Sequence, residues 1–143
     1  MRTVRLCLIG VAMSLLLIGI INGTPVRYAV QLLPIPLALR LTSRAPGYLG
    51  AYGAVAIASF WAVVTVLIWL FVFGVSDVLA GDYPPAVIAL TMPVAFFSFV
   101  GILRGVRAGR YLTRSRKVVT LLLFGALQTL AVIGSFAEPF VNR

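Results

Sequence analysis

The sequence predicts an all-α fold: a polytopic integral membrane helix bundle. Composition points there first, since 62% of the 143 residues are hydrophobic and 10% are charged, against about 45–50% and about 25% in a soluble domain. Mean hydropathy is +1.10. Long uncharged runs recur along the chain, and in lipid only helices satisfy their own backbone groups within one small chain. The expected architecture is four transmembrane helices plus a proline-broken re-entrant or interfacial segment, with five crossings as the alternative. Residues 1–143 form a single membrane domain, too short for a separate soluble unit.

The first apolar run, residues 4–21, reads VRLCLIGVAMSLLLIGII. Only Arg5 interrupts it, and a long basic side chain can extend to the interface. The run is long for a signal-peptide core and the small-residue cleavage pattern is weak, so a retained anchor is expected rather than a cleaved leader.

The next segment, residues 25–41, contains QLLPIPLALR. Pro34 and Pro36 lack amide hydrogens, so a helix through them leaves the carbonyls of Val30 and Leu32 without their i+4 donors. Exposing those groups to lipid costs several kcal/mol. The uncharged stretch 28–39 reaches only about 18 Å as a helix. These points favour a broken segment with Arg27, Arg40 and Arg44 on one side and the N-terminus outside. Nine basic residues then lie inside and three outside, Arg2, Arg5 and Arg143. The alternative takes Thr24 as an N-cap and Pro25 as the first helical residue. That makes a kinked fifth crossing with the N-terminus inside, ten basic residues inside and two outside. If the segment is re-entrant, Gln31 and the carbonyls of Val30 and Leu32 form a polar ligand site, with Gln128 as its candidate companion.

Residues 49–74 form the strongest span: 26 uncharged residues reaching about 39 Å, more than a hydrocarbon core of about 30 Å. Tyr48, Tyr52 and Trp69 flank it as interfacial anchors. Residues 86–103 follow DYPP and carry Pro93, a predicted kink that frees the Ala89 carbonyl, with Thr91 near enough to help. Residues 118–136 form the last span, with Gln128 near its middle. There Gln128 is expected to bind helix to helix, worth roughly 0.6–2 kcal/mol, or else to line a path.

Charge placement orients the bundle. The loop 104–117 carries Arg104, Arg107, Arg110, Arg114, Arg116 and Lys117 with no acid, whereas the loop between the second and third spans carries Asp77 and Asp82 with no base. The basic loop is therefore expected in the cytoplasm, where its six cations can contact anionic lipid. Nucleic acid is not expected, because Tyr111 is the only aromatic interleaved among them.

Gly50, Ala54, Ala58 and Ala62 recur every four residues, as do Gly101, Gly105 and Gly109. Small residues at that spacing let helix backbones approach, within the bundle or against another membrane protein or a second copy.

Several chemistries are disfavoured. No histidine is present and Cys7 is the only cysteine. The last three spans hold no ionisable Asp, Glu, Lys or Arg, the groups that proton-coupled transport and voltage sensing use at membrane depth. No nucleophile–base pair assembles, so no enzyme, cofactor or metal is expected. The expected function is a non-catalytic accessory or assembly subunit of a cell membrane, possessed of a membrane partner. The alternative is a small pore or carrier for a neutral or lipid-like substrate.

Overall fold

The structure, a computed structural model, describes residues 1–44, 47–79 and 81–137. Among them six α-helices form and no strand: α1 (Arg2–Ile21), α2 (Pro25–Gln31), α3 (Pro34–Ser43), α4 (Tyr48–Val72), α5 (Pro85–Ala108) and α6 (Arg114–Gly134), with a 3-10 turn at Gly109–Tyr111. Four helices are long and apolar enough to cross a membrane: α1, α4, α5 with its 3-10 extension, and α6. The broken segment is the remaining pair, α2 and α3.

The helices outlast the apolar runs. α5 continues through Arg104 and Arg107, and α6 begins at Arg114 rather than at Val118. Arg and Lys are good helix formers whose stems lie along apolar surface. The basic loop of the sequence reading is therefore mostly helix, with only the 3-10 turn, Leu112 and Thr113 between α5 and α6. Two helix ends turn on glycine. Gly23 and Gly74 both have φ of 69°, and the following N–H groups reach back five residues, Thr24 to Gly19 O (2.8 Å) and Val75 to Leu70 O (2.8 Å). This left-handed cap is open to glycine at no steric cost.

One face of α1, the row Val4, Leu8, Val11, Leu15 and Ile18, is buried against the other helices. α5 lies along it, and α4 makes the most extensive contact with α5. Ile57, Trp61, Val87, Val94 and Phe124 complete the core. The outward faces are equally apolar: Leu6, Met13, Phe96, Phe99, Leu122 and Leu130 are all exposed. A helix apolar all round belongs in lipid, and the protein is a multi-pass membrane bundle.

The path of the broken segment differs from the preferred sequence reading. At its start, the Tyr28 ring packs on Gly19, near the end of α1. At its finish, Ser43 Oγ lies 3.4 Å from Arg5 Nη1, near the beginning of α1. Together α2 and α3 run antiparallel to α1 along nearly its whole length. Arg27 is thus at the opposite end of the bundle from Arg40 and Arg44, as in the five-crossing alternative. The two prolines do not forbid this, because they occupy the first turn of α3, at its first and third positions. N–H groups there have no intrahelical acceptor in any case.

The remaining helices alternate. α4 starts where α3 ends, and α5 returns beside it, with Trp69 bonded to Thr91 at one end and Tyr48 stacked on Tyr111 at the other (4.8 Å between centroids). α6 runs from Arg114 to the end that holds Arg27. One end of the bundle therefore gathers Arg2, Arg5, Arg40, Arg44 and the six cations 104–117, while the other holds Asp77, Asp82 and Arg27. Arg143 lies outside the described residues, as does Glu138.

Candidate functional site

A cavity of about 260 Å³ opens among α1, α2, α4, α5 and α6 towards the acidic end. The sequence builds it from the Gly23 turn, which sets α2 down against the last turns of α1. Gly19 makes that contact close, since a methyl group there would sit 2.8 Å from the Tyr28 ring. Arg27, Tyr28 and Gln31 then line the cavity together with Trp61, Thr65 and Tyr83, and Leu15, Ile18, Val64 and Val94 supply apolar wall.

Arg27 is half-buried. Its guanidinium carbon stands 3.7 Å from the centroid of the Phe136 ring, a cation–π contact worth roughly 0.5–2 kcal/mol. That contact supplies no oxygen acceptor to the guanidinium N–H donors. Nε is buried with no hydrogen-bond partner among the described residues. Trp61 is 5% exposed and its indole N–H has no acceptor either. Trp69, Thr91 and Tyr83 nearby are engaged. Trp69 Nε1 donates to Thr91 Oγ1 (2.6 Å), which donates to Ile88 O (2.6 Å), the carbonyl before the one that Pro93 frees. Burial, with a smaller contribution from Tyr28, pushes the Tyr83 phenol above its ordinary range, so it stays protonated and donates to Leu79 O (2.9 Å).

Beside the cavity α2 is tied to α6. Gln128 Nε2 donates to the Gln31 carbonyl (2.9 Å), Gln31 Nε2 donates to Ser135 Oγ (2.9 Å), and Ser135 Oγ donates to Val132 O (2.6 Å). The polar ligand site expected at Val30 and Leu32 does not form. Leu33 N–H bonds Val30 O at 3.2 Å and Ile35 N–H bonds Leu32 O at 2.9 Å, because the chain tightens to i+3 bonds across the break. Gln31 and Gln128 are brought together as expected, but onto each other. Gln128 is fully buried and only its Oε1 lacks a partner.

The other expected residues lie elsewhere. Arg104, Arg107, Arg110, Arg114 and Arg116 are exposed at the far end of the bundle, with Lys117 half-buried beside them. The small residues face inward. A methyl group at Gly50 would stand 2.6 Å from Ala38 O on α3, and one at Gly105 2.6 Å from Ala51 O on α4. Gly101 faces Cys7 and Ala58. Ala54 and Ala58 are buried, Ala62 half-buried.

Arg27, Tyr28, Trp61, Thr65 and Phe136 are the cavity residues that sequence reasoning missed. One signal was present: on the five-crossing path Arg27 is a cation on the wrong side of the charge asymmetry. Chemically, the lining offers donors, one cation and apolar wall, with no base set beside a nucleophile. No protein-family model matches the chain, and no curated protein or solved structure matches it.

Proposed function

We propose that the protein is a non-catalytic binding protein for a lipid-like molecule, held in the cavity beside α2. The observation that carries this reading is the cavity itself: apolar on most sides and set among five helices of the bundle. At about 260 Å³ it is slightly below the ~300–1,000 Å³ of drug-sized sites, which suits one chain of a small amphiphile. The membrane is a bacterial inner membrane, with the end that bears ten cations in the cytoplasm and in contact with anionic headgroups. Nucleic acid is not a partner.

Trp61 provides the test. With Trp69 replaced by phenylalanine, Trp61 is the sole tryptophan, and it is buried from surrounding lipid. A brominated monoglyceride added to the purified protein should quench its fluorescence saturably. Quenching that only tracks total bromolipid, without saturation, rejects the reading.

A second reading, the accessory subunit, is favoured by α6. It packs along one side only and leaves Val118, Val119, Leu122, Leu123, Leu130 and Ile133 exposed. The small-residue stripes do not add to it, since they close contacts inside the chain. Extraction in mild detergent decides: a stoichiometric membrane partner supports it, and a lone chain counts against it.

A further inference from the structure

We infer that the cavity takes an amphiphile with an anionic head, a carboxylate or a phosphate, whose counter-charge is Arg27. This rests on the lipid-binding reading and adds the chemistry of the ligand.

Among the described residues, ten of the eleven basic side chains lie at one end of the bundle and Arg27 alone lies at the other. Orientation therefore does not explain it, because a cation on that side works against the charge asymmetry that sets topology. Packing does not explain it either. A guanidinium nitrogen withdrawn from water without a partner is costly, and Arg27 Nε has none among the described residues, since the Phe136 ring offers it no acceptor. Asp77 and Asp82 share that end of the chain, yet neither forms an ion pair with it.

A second, separate group makes the same demand. Trp61 is more than nine-tenths buried, lines the same cavity, and holds an N–H donor with no acceptor. Tyr83, Gln31 and Thr91 already have acceptors. The buried side-chain atoms of this cavity that lack a partner, Arg27 Nε and Trp61 Nε1, are thus both donors, one of them on a permanent cation. A ligand that answers them brings oxygen acceptors and negative charge. Leu15, Ile18, Val64 and Val94 offer surface for a hydrocarbon chain and nothing that a second charged group could use. An anionic amphiphile in the leaflet at the acidic end fits both halves.

The experiment uses the full chain with Trp69→Phe, reading Trp61 quenching by three brominated probes: a fatty acid, a lysophosphatidic acid and a monoglyceride. Both anionic probes, or one of them, should bind at least about tenfold more tightly than the monoglyceride. The anion that shows the gain identifies carboxylate or phosphate as the head. Arg27→Gln should erase the gain, while Arg27→Lys should keep part of it. Equal affinities for all three probes in the parent protein overturn the inference and leave the lipid-binding reading standing, and that comparison needs no Arg27 variant to fold. An absence of saturable quenching by any probe rejects the lipid-binding reading itself. Glu138→Gln completes the set: an anion preference already present in the parent supports Arg27 as the ligand's counter-charge, and one that emerges only in this variant assigns Arg27 to an internal ion pair and overturns the inference.

Discussion

Gln128, in the middle of α6, donates its side-chain amide to the backbone carbonyl of Gln31, 97 residues earlier and at the last position of α2 (2.9 Å). The final carbonyls of a helix have no intrahelical donor, and in lipid no water replaces one. Gln128 therefore serves the helix break.

Replacing Gln128 by leucine removes the donor and leaves the buried carbonyl. The sequence puts such a helix-to-helix bond at roughly 0.6–2 kcal/mol. With a helix-end carbonyl as acceptor, the loss should be about 1–2 kcal/mol, between the usual membrane hydrogen bond and a buried unsatisfied group. Unfolding in mixed micelles measures it, and a change within error of zero would show that the Gln31 carbonyl finds another donor.

Topology follows from the path of α2 and α3. In a Cys7→Ser background, Thr3→Cys and Ser115→Cys should react with an impermeant thiol reagent from the same side, and Gly81→Cys from the other. Labelling of the positions 3 and 115 from opposite faces would instead restore the re-entrant path with its N-terminus outside.

The long helices were legible from the sequence because lipid makes hydropathy an almost sufficient signal: α4 and residues 49–74 differ by one residue at the start and two at the end. The ends of α5 and α6 were less legible, since charge ends an apolar run without ending a helix. The path at Pro34 and Pro36 was not legible. A proline is expensive within a helix and harmless in its first turn, and which applies depends on where the preceding helix stops. The cavity depended on the same point. Arg27 and Phe136, 109 residues apart, meet only if the segment runs end to end.

Glycine positions separate close packing from open surface. Gly50→Ala places a methyl against the backbone of α3 and should destabilise by about 1–3 kcal/mol, as overpacking does. Gly125→Ala on α6 meets nothing within 4 Å. It should be neutral or stabilising by up to about 1 kcal/mol, the helix preference of alanine over glycine. Equal effects at the two sites would contradict the α3–α4 approach.

The break at residues 32 and 33 and the Gln128 side chain should be energetically coupled. Pro34→Ala and Pro36→Ala together restore two amide hydrogens, in reach of the Val30 and Leu32 carbonyls if the helix continues. A continuous helix also returns Ile35 N–H from Leu32 O, its present acceptor at 2.9 Å, to the carbonyl of Gln31. In that background Gln128 has no orphan to serve, so Gln128→Leu should cost less than in the parent. The interaction energy between the two changes should be at least about 0.5 kcal/mol, the range seen for residues sharing one hydrogen-bond network. Additive effects would mean that Gln128 stabilises α6 against its neighbours in general, independently of how α2 ends. A coupling of the expected sign ties the amide in α6 to the two prolines of α3 as parts of one device, which lets a proline-broken segment lie inside the bundle beside the cavity.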